Sequence, residues 1–148
     1  MLRAWWPAFV WVCIIAFEST DFFSAQNTGG LLLALLTRLF GHINPHFFAI
    51  FHHYVRKTGH VVGYGMLSLL LLRGWRATLG RIPELLLRAV LLSWLGTASV
   101  AALDEWHQSF IPSRTGRWQD VVLDTVAGVI FLVAAYLFLN RSGPAIQS

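Results

Sequence analysis

The sequence predicts an all-α, polytopic membrane protein with four transmembrane helices and a short interfacial or re-entrant helix in the first loop. The composition is 56% hydrophobic and only 12% charged, and the mean hydropathy is +0.60. Four apolar segments stand out, residues 4–17, 61–72, 89–103 and 121–139. Removing them leaves no soluble domain, so residues 1–148 form a single transmembrane domain.

The four segments differ in how much extension they need to span a bilayer, which takes roughly 20 residues. Only residues 121–139 are long enough unaided. The second segment can extend back to Pro45, because Asn44-Pro45 is typical of an N-cap followed by proline in the first helical position. This predicts one helix from Pro45 to about Trp75. The third segment can begin at Leu85, with the Arg88 side chain reaching the interface.

The first segment has two interpretations. A basic start followed by an apolar core is also typical of a signal peptide. The small-residue pattern expected at a cleavage site is poor around residues 23–25, which favours a retained helix. Residues 31–40 are apolar but too short to span, so they could form either an interfacial or a re-entrant helix. The tail, residues 142–148, is predicted to fray.

The distribution of arginine predicts the orientation. The loop between the second and third helices carries four arginines and one acid, which favours the cytoplasmic side. Both termini are then cytoplasmic, and the protein is a multi-pass protein of the cytoplasmic (inner) membrane. The formal charge of +4 comes from basic residues scattered among apolar runs, so nucleic acid is not an expected partner. The expected partner is membrane lipid.

Polar residues converge at one membrane face, where the second helix starts, the third ends and the fourth starts. The spacing of His53, Lys57, His60 and Tyr64 places them on one helical stripe. Glu105 and Gln108 share a face if the third helix continues that far, and Asp120 and Asp124 share one on the fourth helix. We predict a common cavity with four candidate catalytic residues, His60, Glu105, Asp120 and Asp124, and four candidate substrate-binding residues, Lys57, Tyr64, Gln108 and Arg114.

Each of these residues also has a purely structural interpretation. Tyr64 could serve only as an interhelical hydrogen-bond donor, and Asp120 only as a favourable charge at a helix N-terminus. The Gly59-x-x-x-Gly63 pair favours a close-packing surface over a ligand site. A structural network does not require so many acids with an amide, a lysine and a histidine at one end of a small bundle, which favours function.

Three groups of residues make the chain resemble the VanZ-like family of small membrane proteins, named for a glycopeptide-resistance accessory that lowers susceptibility to teicoplanin. They are Lys57-x-x-His60-x-x-x-Tyr64, Asp104-Glu105-x-x-Gln108-x-Phe110-x-Pro112-x-Arg114, and Asp120-x-x-x-Asp124-Thr125-x-x-Gly128. The match is strongest over residues 45–130. Ser113 stands where glycine is usual in the family, and asparagine is also common at the position of Asp124.

The resemblance implies a polytopic cell-envelope protein associated with antibiotic resistance, and it leaves the reaction open. One hypothesis is an enzyme that acts on a lipid-linked or anionic envelope molecule, such as a cell-wall precursor, at the outer membrane face. Glu105, Asp120 and Asp124, with His60 as a further candidate, could hold a divalent cation such as Mg²⁺. Arg114 would neutralise Glu105 or Asp124 and still bind an anion. The alternatives are a non-catalytic binding or shielding protein and a small transporter subunit.

Overall fold

The computed structural model describes residues 1–141, which form helices with short connections and no strand. The predicted frayed tail lies outside the described residues. The five α-helices are α1 (Leu2–Glu18), α2 (Ala25–Phe40), α3 (Pro45–Leu79), α4 (Leu86–Gln108) and α5 (Trp118–Arg141). Single 3₁₀ turns, Asp21–Phe23 and Pro83–Leu85, precede α2 and α4. The predicted all-α fold class is confirmed.

The start of α3 follows from local chemistry. The Asn44 side-chain oxygen accepts hydrogen bonds from the backbone N–H groups of His46 (2.9 Å) and Phe47 (3.2 Å). Those donors have no partner within the helix, and Pro45 has no N–H to satisfy. The predicted helix from Pro45 therefore exists, and it extends four residues beyond the expected Trp75 to Leu79.

Helix α2 is longer than the sequence predicted. It begins at Ala25 rather than at residue 31, because the Ser24 hydroxyl oxygen accepts a 3.3 Å hydrogen bond from the N–H of Asn27 and caps the helix. Residues 26–30 are polar or glycine, so the sequence did not indicate that the helix begins before them. At 16 residues the helix is still short of the roughly 20 that a membrane span needs.

Helices α3, α4 and α5 pack against one another, and α1 packs mainly against α3. The contacts fix the helix directions. The Trp11 indole donates to the Gly63 carbonyl (2.8 Å) and the Trp5 indole to the Thr78 hydroxyl (2.9 Å), so α1 runs antiparallel to α3. Lys57 pairs with Asp120, and His60 with Asp124, so α3 and α5 are parallel. The hydrogen bond from Tyr64 to Asp104 places the end of α4 at the same level.

Helix α4 is polar inside and apolar outside. Ser93, Thr97 and Glu105 are buried against the other helices, whereas a row of leucines that includes Leu87 and Leu91 is exposed. The stretch Pro83–Gln108 and helix Trp118–Arg141 have apolar windows of mean hydropathy 1.7 and 2.3, and both are long enough to cross a bilayer. Exposed leucines are unfavourable in water and favourable in contact with lipid. The chain is therefore a helical membrane protein with two long apolar helices.

Close helix packing uses different glycines from those predicted. A side-chain carbon on Gly65 would lie 2.6 Å from the Phe131 ring, and one on Gly74 would lie 2.8 Å from the Trp5 ring. At Gly59 and Gly63, by contrast, no neighbouring atom lies within 4 Å of that position. The close-packing interpretation of Gly59-x-x-x-Gly63 is therefore wrong, because the positions that side-chain carbons would occupy on both glycines border open space.

Candidate functional site

The predicted polar residues lie near the middle of α3, at the end of α4 and at the start of α5, and these three places come together. Atoms of His60, Glu105 and Asp124 all lie within 4.8 Å of one another. Glu105 and Asp124 are 5% and 0% exposed, so both acids point into the bundle. His60 thus forms one cluster with two acids that lie more than 40 positions away from it in the chain, as the topology predicted.

Two ion pairs join α3 to α5. The Lys57 ammonium donates to the Asp120 carboxylate, and one helical turn deeper the His60 Nδ1 lies 3.1 Å from Asp124 Oδ2. The spacings match because a step of three on α3 and of four on α5 each covers about one turn. Asp120 is therefore held by Lys57 and lies apart from the group formed by His60, Glu105 and Asp124.

A second network joins α3 to α4 through Asp104. Its Oδ2 accepts hydrogen bonds from the Tyr64 hydroxyl (2.9 Å) and from the Gln108 amide nitrogen (3.0 Å). Its Oδ1 is buried and has no hydrogen-bond partner. The Tyr64 ring stacks on the His60 ring, with 6.2 Å between centroids. Tyr64 therefore donates a hydrogen bond between helices, as its structural interpretation expected. It also lines the cavity described below.

Glu105 is held by the loop that follows α4. Its Oε2 accepts a 2.7 Å hydrogen bond from the backbone N–H of Arg117. Gly116 lies directly against the Glu105 carbonyl, where a side-chain carbon would clash with backbone. The loop thereby fixes the position of the carboxylate before α5 begins.

Arg114 does not form the ion pair that the sequence suggested. Its guanidinium donates to the backbone carbonyls of Thr20, at 2.7 Å from Nη2, and of Glu18. These carbonyls belong to the last residue of α1 and to the connection that follows it, where the backbone has no helical partner. Burial, and next the charge of Arg56, lower the pKa of Arg114, but a guanidinium remains charged in proteins. Arg114 therefore joins α1 to the loop and brings a positive charge to the cavity edge.

A cavity of about 410 Å³ lies between α1, α2 and α3, within the size range of ligand pockets. One part of its lining is apolar, with Ile15, Leu32 and Val55. The polar lining includes His60, Tyr64, Asp104, Gln108, Arg56 and Arg114. Such a cavity suits a molecule that is itself partly apolar and partly charged.

A second cavity of about 300 Å³ adjoins the first and shares His52, Arg56, His60, Gln108 and Arg114 with it. Its charged lining is mainly positive, because Arg56, Lys57, Arg114 and Arg117 outnumber the single acid Asp120. We refer to it as the cationic cavity and to the larger one as the amphipathic cavity.

Of the eight predicted site residues, Tyr64 lines only the amphipathic cavity, and Lys57 and Asp120 line only the cationic one. His60, Gln108 and Arg114 line both, whereas Glu105 and Asp124 lie behind His60 and line neither. The structure thus brings all eight to one region, and their catalytic and binding roles stay predictions.

Several lining residues were missed from the sequence. His52 and Arg56 precede His60 at intervals of four, a spacing that could have placed them on its face. Gly59 and Gly63 also line the amphipathic cavity, and no sequence signal separates such glycines from packing glycines. The wall contributed by Glu18 and Ser19 depends on how α1 docks, which the sequence does not specify.

The VanZ/LLP1 family model matches residues 4–139. No curated protein and no solved structure matches the chain. The matched range covers all five helices almost completely, and it extends beyond residues 45–130, where the resemblance was strongest, to include α1. The chain therefore belongs to the VanZ/LLP1 family.

Proposed function

We propose that this protein binds an anionic, lipid-linked molecule of the cell envelope in the two adjoining cavities, at the outer face of the cytoplasmic membrane. The observation that carries the proposal is the continuity of apolar and cationic lining. Ile15, Leu32 and Val55 would contact a hydrocarbon chain, and Arg56 and Arg117 would contact a phosphate or carboxylate. Partners of this kind include membrane lipids and lipid-linked cell-wall precursors.

The proposal includes four membrane spans, α1, α3, α4 and α5, with both termini in the cytoplasm. The alternating directions of these helices support it. The arginine-rich end, where the Arg73 side chain donates to the Arg3 carbonyl, would be cytoplasmic. The packing of α1 against α3 favours a retained helix over a cleaved signal peptide. The cavities would then open toward the outer leaflet.

Filling the amphipathic cavity tests the proposal. Gly59→Leu should fold, since no atom lies within 4 Å of the added side-chain carbon, but should reduce affinity by at least about tenfold, or 1.4 kcal/mol. Gly30→Leu is the matched control, because Gly30 is also helical, borders open space and lines neither cavity. The measurement is binding of a short-chain polyprenyl phosphate to purified protein in detergent, beside the uncharged polyprenol. Equal affinity of both variants, or equal binding of phosphate and alcohol, would contradict the proposal.

A second candidate, an enzyme acting on the same molecule, is favoured by the arrangement of His60, Glu105 and Asp124. A histidine hydrogen-bonded to a buried carboxylate can serve as a general base. Glu105→Gln keeps the acceptor for the Arg117 N–H, so the fold should persist. Complete loss of substrate turnover or of the resistance phenotype in Glu105→Gln would indicate catalysis. A loss of about 10- to 150-fold in affinity would instead indicate a charge-assisted hydrogen bond in a binding protein. A fully functional variant would remove Glu105 from the site.

Family membership supports a link to glycopeptide resistance, by capture or shielding of envelope precursor. Expression in a susceptible host should raise the minimum inhibitory concentration of teicoplanin, and Gly59→Leu at equal expression should abolish the increase. If the unsubstituted protein does not raise the minimum inhibitory concentration, this protein does not confer teicoplanin resistance.

A further inference from the structure

We propose that His60, Glu105 and Asp124 bind one divalent transition-metal cation, Zn²⁺ or Mn²⁺. Their nitrogen and oxygen atoms lie within 4.8 Å of one another. Ligands of a tetrahedral zinc ion at about 2.1 Å are separated by roughly 3.4 Å. His60 Nδ1 and Asp124 Oδ2, 3.1 Å apart, are near that separation, so the remaining ligand distances need to shorten by at most about 1.4 Å for binding.

A carboxylate oxygen without a partner points to a ligand at this position. Asp124 is fully buried at 0% exposure, and its Oδ1 has no hydrogen-bond partner. Burial of an unpaired charged oxygen is costly, so buried charges are normally paired or bound to a metal. The His60 contact satisfies only Oδ2, and a cation held jointly with Glu105 would satisfy the rest of the carboxylate.

The local charges leave room for a cation. Lys57 neutralises Asp120, and Asp104 receives only the neutral donors Tyr64 and Gln108. Glu105 receives a neutral backbone N–H. The two carboxylates of the proposed ligand set therefore have no cationic side chain other than His60 among their hydrogen-bond and ion-pair partners in residues 1–141. A divalent ion would balance both.

The ligand set changes the expected metal from that suggested by the sequence. The sequence suggested Mg²⁺ held by Glu105, Asp120 and Asp124, with His60 as a further candidate ligand. In the structure Asp120 is paired with Lys57, so the ligand set has two carboxylates and the His60 imidazole. Imidazole with carboxylates suits zinc, and manganese accepts the same donors, whereas magnesium prefers an all-oxygen octahedron. Three protein ligands also leave a coordination position, and His60 places the ion directly behind the lining of both cavities.

Metal titration of purified, EDTA-treated protein tests the site without any lipid, so its outcome is independent of the proposed function. We expect one equivalent of Zn²⁺ or Mn²⁺, with weaker Mg²⁺ binding. Asp124→Asn should weaken binding by about 100-fold or more, whereas Asp120→Asn, one turn away, should change it by less than about threefold. Absence of stoichiometric binding would overturn the proposal. Equal losses of metal affinity in both variants would mean that Asp120 is a ligand, and would overturn the set formed by His60, Glu105 and Asp124.

Pulsed electron paramagnetic resonance of the Mn²⁺-loaded protein provides a second readout, and its isotope-labelling comparison does not depend on a variant folding. A histidine ligand should give a nitrogen hyperfine coupling, which should change on labelling histidine with ¹⁵N and disappear in His60→Gln. An Mn²⁺ spectrum without nitrogen coupling would exclude His60 as a ligand and overturn the site as proposed.

Discussion

At the scale of single residues, Asp104 shows how one acid organises two helices. One of its oxygens accepts from both the Tyr64 hydroxyl and the Gln108 amide. Tyr64 is 2% exposed and Gln108 5% exposed, so neither donor has water as a ready substitute. The network therefore depends on an acceptor at position 104 more than on its charge.

Asp104→Asn should keep this acceptor and change stability little. Asp104→Leu should leave two buried donors unpaired, at a cost of about 1–3 kcal/mol each. Thermal unfolding of the purified variants in one detergent is the measurement. A leucine variant as stable as the asparagine variant would mean that the donors have other partners, such as water in the adjoining cavity.

Many residues of the site could be predicted from the sequence, but their individual partners could not. The polar residues were identifiable because acids, an amide and a histidine are rare in apolar segments. Their individual partners were not: Arg114 binds the backbone past the end of α1, and Lys57 rather than a metal holds Asp120. Such choices depend on rotations of a few tens of degrees about each helix axis, which side-chain spacing alone does not determine.

At the scale of helices, the contact between α3 and α5 depends on Gly65. A side-chain carbon there would lie 2.6 to 2.8 Å from three atoms of the Phe131 ring. Gly65→Ala should therefore destabilise the protein by about 1–3 kcal/mol, the usual cost of overpacking. Phe131→Leu in the same chain should recover part of the loss, and thermal unfolding of both variants measures it.

Gly63→Ala is the control for this prediction, two residues earlier on the same helix. No atom lies within 4 Å of its added carbon, and alanine has a helix propensity about 1 kcal/mol better than that of glycine. Unchanged or higher stability is expected. Similar destabilisation by both substitutions would show that helix backbone effects, rather than the Phe131 contact, dominate.

Helix existence was largely predictable, whereas some helix starts were not. The Asn44-Pro45 start followed from capping, whereas the continuation of α4 through Glu105 to Gln108 was only a condition of the predicted site, and the structure shows it. The start of α2 at Ala25 depended on a serine cap followed by polar residues, a pattern that propensity assigns to loops.

At the scale of the whole molecule, four spans predict that two loops lie on opposite membrane faces. In a Cys13→Ser background, Ala77→Cys near the end of α3 should react with a membrane-impermeant thiol reagent only after cell disruption. Thr115→Cys, in the loop before α5, should react in intact cells. Labelling of both sites from the same side would contradict the topology, since α4 separates them.

Native mass spectrometry of protein extracted from its own membranes can show whether the paired cavities hold an anionic, lipid-linked molecule. We expect a bound species containing phosphate and a hydrocarbon chain on the unsubstituted protein and on Gly30→Leu, and its loss from Gly59→Leu. Protein without such a species, or Gly59→Leu with the same occupancy as the unsubstituted protein, would show that the cavities do not bind this class of molecule.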